Sequence, residues 1–356
     1  MTQMNTMQVT YVCSTAAKTG LHKDVTVSDY VVAQEGYCIV VEALESKAIY
    51  NQIECSDGEF RTIAKGDIFV GVLGERKALK GYSGQVPRIA LPGDTLNVLN
   101  LGGIIGNCTS DHPSLGPALK VRVIGAAMVQ SEGMWVHARL QDHALPEVEN
   151  LTKSCPLIFV SGTAMDTGKT WACCELVQRL SRKGYRVAAA KATGASLMRD
   201  VRLIERHGAV AIATFTDTGI VCSASKTMAK NVKGIIHHLN ITADPDVIVI
   251  ELGDGIIGYY GVDELLQDKE LQSFCAAHIV TGVDLAGIWA AQTLFKDRYH
   301  ATIALVTGPV TDNGVGRQYI RQVMGIPAIN AREDPQEMAD LITTYLKPPA
   351  AREVLA

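Results

Sequence analysis

Ten residues, Ser161 to Thr170, constrain this chain more than any other part of it. They read SGTAMDTGKT and join an apolar run, Pro156–Val160, to an amphipathic stretch, Trp171–Gly184. A glycine loop between a strand and a helix is the setting in which such a sequence holds phosphate. Gly162 and Gly168 let the N–H groups of the loop, from Thr163 through Thr167 to Thr170, converge on phosphate oxygens with no Cβ in the way. The helix aims its positive end at the same point. Lys169 is then placed to reach the β- and γ-phosphates, and the Thr170 hydroxyl to ligate Mg²⁺.

The residues after this motif alternate between apolar runs and helical periodicity. Strands are predicted at Pro156–Val160, Arg186–Ala190, Asp246–Ile250, His278–Val283 and Thr302–Thr307. Helices are predicted at Trp171–Gly184, which ends in a basic turn and a glycine, at Val201–His207 and at Ser225–Leu239. Buried strands separated by helices imply a parallel sheet covered on both faces, an α/β fold.

The first 150 residues read differently. Short runs rich in valine, isoleucine and tyrosine (37–44, 67–73, 94–101, 119–126 and 134–140) follow one another with turn residues between them. Lys65-Gly66-Asp67 and Pro92-Gly93-Asp94 each precede a strand. This spacing predicts a small β-rich domain, barrel or sandwich, over residues 1–150 and a second domain over 151–356. Polar residues 143–154, with Pro146, read as the linker. The glycines of Leu101–Gly106 are expected to serve bulges or tight turns, although a loop approached by ligand is also open.

At 356 residues, 47% hydrophobic and 20% charged, the chain has material for two cores. A net charge of −4 leaves no basic footprint, so nucleic acid is not an expected partner. No apolar run reaches the length of a membrane-spanning helix, and no secretory signal stands at the N-terminus, so a cytoplasmic location is expected. The nine cysteines are scattered and include no C-x-x-C pair. Cys173 and Cys174 are read as small buried hydrophobes, with a redox-sensitive thiol beside the loop as the alternative.

The loop has five residues between its glycines, Thr163 to Thr167, where the usual pattern is G-x-x-x-x-G-K-[ST]. This longer form resembles the dethiobiotin synthetase and cobyrinic/cobyric acid synthase superfamily of ATP-dependent P-loop enzymes. The resemblance continues through Lys191-Ala192-Thr193-Gly194-Ala195-Ser196, Arg199-Asp200-Val201, Glu251-Leu252-Gly253-Asp254-Gly255 and Gly282-Val283-Asp284-Leu285, and covers residues 156–335. It implies ATP with Mg²⁺, a small-molecule substrate held by Lys191, Thr193 and Ser196, and metal ligands at Thr170, Asp200 and Glu251. It places Asp166 among the catalytic residues with Lys169 and Lys191, and implies a homodimer. A carboxylate ending the run Val247–Ile250 would emerge at the carboxyl edge of the sheet, where ligands bind. Two departures stand out. The late strand runs Val306-Thr307-Gly308-Pro309 without the asparagine that helps recognise adenine, leaving Asn313 or Asn330 to substitute, and glutamine-derived ammonia is not expected to be made by the residues of this sequence.

The leading functional expectation is an ATP·Mg-dependent ligase that phosphorylates a carboxylate or carbamate oxygen. One alternative is a nucleotide-dependent regulatory or binding protein whose β-rich half contacts a partner. Another is an acyl transferase whose loop holds a cofactor's phosphates.

Overall fold

In the computed structural model, residues 4–350 are described. Their contacts divide the chain into two units. The first comprises 4–145 with two later segments, Ala195–Arg199 and Phe215–Ala224; the second comprises the remainder from Pro146. The single boundary expected at residue 150 is therefore incomplete, because two loops of the α/β half are built into the β-rich unit. Composition carries no sign of this, since the two segments are short.

In the first unit, Lys120–Ser131 pairs antiparallel with Cys38–Ala43, which pairs antiparallel with Ile68–Leu73. Ile68–Leu73 pairs parallel with Ile104–Ser110; from there Thr95–Val98 leads back, antiparallel, to Lys120–Ser131. The circuit closes, so of the two β architectures expected the barrel is the one formed. Alternate residues such as Ile39, Val41, Phe69, Ile105 and Val121 are buried in its core. Of the Leu101–Gly106 glycines, Gly103 serves a turn, with φ 91° and its N–H donating to the Asn100 carbonyl at 3.3 Å, while Gly106 lies in the following strand.

The second unit holds a six-stranded, all-parallel sheet. Its strands in chain order are β1 (Leu157–Gly162), β2 (Val187–Thr193), β3 (Ala211–Thr214), β4 (Val247–Leu252), β5 (Cys275–Thr281) and β6 (Leu305–Thr307). They lie in the order β3-β2-β4-β1-β5-β6. The edge strand β3 was not predicted; its Ala-Ile-Ala-Thr is too short and mixed to stand out. β6 is shorter than expected and β5 begins earlier.

Helices cover both faces. Ile158, Val160, Val187, Ala189, Val249 and Ile279 pack with Cys173, Leu176, Val177 and Leu180 of α1 (Lys169–Arg182) and with Met338 and Ile342 of Pro335–Thr343. The intervening residues face the other side, where Phe159 stacks on His278 at 5.7 Å and His278 meets Phe295 edge-on at 5.0 Å. This alternation of two buried faces explains the unbroken apolar runs. No helix among the described residues is long and apolar enough to cross a membrane.

His278 is an unusual component of this core. It is 5% exposed, its Nε2 lies 2.8 Å from Gln272 Oε1, and its Nδ1 has no hydrogen-bond partner among the described residues. Burial pushes its pKa down to about 4. The unfolded chain therefore takes up a proton at higher pH than the folded one, and stability present above pH ~6.5 is lost as pH falls towards 4. For a shift of this size the loss amounts to about 3 kcal/mol. Denaturant titrations between pH 7 and 4 should show it, and in His278→Gln that part of the pH dependence should disappear.

Candidate functional site

The loop Ser161–Thr170 leaves the carboxyl end of β1, a central strand, and enters α1, whose first residue is Lys169. Gly168 takes φ 91° and Asp166 φ 59°, left-handed conformations that glycine adopts freely and aspartate tolerates. A Cβ on Gly162 would run into the hydroxyls of Thr167 and Thr281. Two ties hold the loop to the sheet edge: Thr163 N–H donates to the Thr281 carbonyl at 2.9 Å, and Ile256 N–H to the Gly162 carbonyl at 2.8 Å. Thr167 Oγ1 meets Thr281 Oγ1 at 2.5 Å.

Lys169 is 6% exposed, and its ammonium donates to the Ala164 carbonyl at 2.7 Å. It thus lies folded across the mouth of its own loop. Burial lowers its pKa; Glu251 opposes that shift and Lys191 adds to it.

Sheet register brings the other charges together. Val160 and Lys191 both pair with Glu251, on opposite sides of β4. Thr170 Oγ1 donates to Glu251 Oε1 at 3.0 Å. Glu251 is buried and its Oε2 has no partner among the described residues. Burial raises its pKa, with Lys191 and Lys169 pulling against that and Asp200 adding to it. Lys191 is ion-paired with Asp200, which opens the helix Arg199–Arg206. An acidic oxygen held in the interior without a donor fits a cation, and Mg²⁺ takes one or two carboxylates plus phosphate oxygens and a hydroxyl rather than an all-protein cage. No group of three or more His, Cys, Asp or Glu side chains suited to a metal occurs among the described residues.

Thr170, Glu251, Lys169, Lys191 and Asp200 therefore form one group. The other expected residues are placed differently. The Thr193 hydroxyl donates to the Gly253 carbonyl at 3.0 Å, and Ser196 belongs to the first unit, where its hydroxyl meets Thr216 Oγ1 at 2.8 Å. Asp166 is exposed and borders a cleft with Gly168 and Trp171. Asn313 caps a helix by accepting from Val315 N–H, while Asn330 accepts from Arg332 and Glu333 N–H and donates to Asp312. Asp284 likewise caps a helix, accepting from Gly287 N–H. Cys173 and Cys174 are fully buried in the core, and burial pushes the Cys174 thiol up to about 12 and Cys173 well above its usual value, so neither supplies a thiolate. Thr281, which ties down the loop, escaped sequence reasoning; its position at the end of an apolar run was the available signal.

A strand–loop–helix of this geometry on a parallel sheet, with the loop at the strands' carboxyl edge, defines a P-loop α/β domain. No protein-family model and no curated protein matches the chain. Solved structures similar to it include the signal recognition particle receptor FtsY from Elizabethkingia anophelis, at 16% identity and TM-score 0.39, over 58% of this chain and 70% of that one. HypB from Helicobacter pylori, in complex with nickel, is 13% identical with TM-score 0.37, over 56% of this chain and 92% of that one. A DUF1611 family protein from Anabaena variabilis is 14% identical with TM-score 0.37, over 56% of this chain and 63% of that one. Likeness at this level assigns no nucleotide, reaction or partner to the chain.

Because burial disfavours the charge of Glu251, Glu251→Gln should raise the thermal midpoint of the ligand-free protein at pH 7. The same variant should lose the stabilisation that Mg²⁺ with a nucleoside triphosphate confers on the wild type, measured by thermal shift.

Proposed function

We propose that this protein uses a nucleoside triphosphate with Mg²⁺ to phosphorylate a carboxylate or carbamate oxygen of a small molecule, activating it for attack by an amine or another nucleophile. The observation that carries this reading is the group of Lys169, Thr170 and Glu251 at the mouth of the loop, with the second oxygen of Glu251 left for a cation.

The loop amides and Lys169 hold the β- and γ-phosphates; the Lys169 ammonium exchanges the Ala164 carbonyl for phosphate oxygens. Thr170 and Glu251, with Asp200 nearby, would hold Mg²⁺, which would supply neutralisation of charge on the phosphates. Lys191 holds the anionic substrate and steadies charge as it moves from the attacking oxygen towards the γ-phosphoryl group. In the transfer the substrate oxygen forms a bond to the γ-phosphorus. The bond to the β–γ bridging oxygen breaks, and its electron pair leaves with the diphosphate. Such transfers depend chiefly on positioning and electrostatics, which these side chains supply.

The reading is tested by nucleoside diphosphate release with candidate acids and amines. Release should depend on substrate, and Lys169→Ala should lower it by at least a hundredfold while the circular dichroism spectrum stays unchanged. Undiminished release in that variant rejects the assignment. Slow, substrate-independent hydrolysis points instead to a regulatory nucleotide switch, and acyl transfer without diphosphate release to the cofactor-binding alternative.

A further inference from the structure

Beside the phosphate loop, within the second unit, lies a cleft that the proposed chemistry does not use. It is bordered by Asp166 and Gly168 of the loop, Trp171 of α1, Asp312, Asn330 and Arg332. The cleft therefore adjoins the later part of the phosphate loop, at Asp166 and Gly168. Its wall carries an aromatic ring with a cation beside it: the Arg332 guanidinium carbon lies over the Trp171 ring, 5.5 Å from its centroid. An aromatic ring paired with a guanidinium plane suits the face of a heterocyclic base.

The edge of a bound base would meet a restricted set of polar groups. The Asn330 amide is already engaged: its oxygen accepts from Arg332 and Glu333 N–H at 2.9 and 3.1 Å, and its nitrogen donates to Asp312 Oδ1 at 2.8 Å. Thr307 Oγ1 accepts from Ala331 N–H at 3.0 Å, and the Gly308 carbonyl accepts from Thr311. Pro309 has no N–H, and its carbonyl accepts from Asp312 N–H at 3.1 Å. Asp312 Oδ2 is left with no protein partner among the described residues, on a carboxylate that Asn330 holds in orientation. An ionised carboxylate only accepts hydrogen bonds.

We infer that this cleft holds the base of the nucleotide and that Asp312 selects guanine over adenine. The inference rests on the reading that the loop binds a nucleoside triphosphate. Guanine presents two adjacent donors, N1–H and the exocyclic amino group, which a carboxylate accepts together. Adenine presents an acceptor, N1, beside its amino group, and that lone pair faces a second acceptor. Of the two asparagines that could stand in for the one that helps recognise adenine in the resembling enzymes, Asn313 caps a helix and Asn330 holds Asp312, each with its amide oxygen already accepting from backbone N–H.

The test is equilibrium binding of GTP, ITP and ATP in the presence of Mg²⁺, by competition against a fluorescent nucleotide. The wild type should bind GTP at least tenfold more tightly than ATP, the discrimination expected of one bidentate contact. ITP, which lacks the exocyclic amino group, should fall between them. Asp312→Asn should weaken GTP at least tenfold and erase the preference, while inorganic tripolyphosphate competes as before. Trp171→Ala should weaken both nucleotides and leave their ratio unchanged. A wild type that holds ATP as tightly as GTP, or an Asp312→Asn variant with an unaltered ratio, overturns this inference and leaves the phosphoryl-transfer reading standing. Failure of every nucleotide and of tripolyphosphate to bind overturns both.

Discussion

The α/β half of this protein is organised around a small set of buried charges that balance one another at the edge of a parallel sheet. Glu251 sits at the carboxyl end of a central strand, in a position whose burial disfavours its charge. It is tolerated because Lys191 stands beside it in register, Lys169 lies close by, and the Thr170 hydroxyl donates to one of its oxygens. These partners come from two steps in the fold: the adjacent strand supplies Lys191, and the first two residues of the helix after the loop are Lys169 and Thr170. Moving the sheet register by one residue would turn Lys191 or Glu251 to the opposite face and break the set.

This arrangement has the character of a site rather than of a stabilising ion-pair network. A network built for stability satisfies its members, whereas here one oxygen of Glu251 is buried without a donor and the Lys169 ammonium rests on a backbone carbonyl of its own loop. Both are contacts that a bound phosphate and its metal would improve. The ties from Thr281 and Ile256 hold the loop against the sheet edge, so the N–H groups that would meet phosphate are set before any ligand arrives. In the proposed reaction, that preorganisation would leave little reorganisation for the phosphoryl transfer itself.

Much of this was legible in the residues. The glycine spacing, the lysine and threonine after it, and the switch between apolar runs and helical periodicity led to the P-loop α/β sheet. The β character of the first half was equally plain, although the closure of its strands into a ring was not. Short edge strands such as β3 were lost because a few mixed residues carry no period. Thr193 and Ser196, read as substrate contacts, are engaged with Gly253 and Thr216 in different units. A polar residue near a loop looks the same in sequence whether it meets a ligand or the scaffold.

The sequence by itself determined the local structures: a loop that only glycines could shape, a helix that begins at its lysine, and strands apolar enough to be buried on both faces. Those outcomes depend on neighbours in the chain, so they can be read from it. The tertiary structure alone decided that Lys191 stands next to Glu251, that Asp200 pairs with Lys191, and that Asn330 is spent on backbone N–H groups while Asp312 keeps an open oxygen. Such pairings join residues far apart in the chain, and they are fixed by strand order and register, quantities set by the packing of the whole sheet rather than by any one segment.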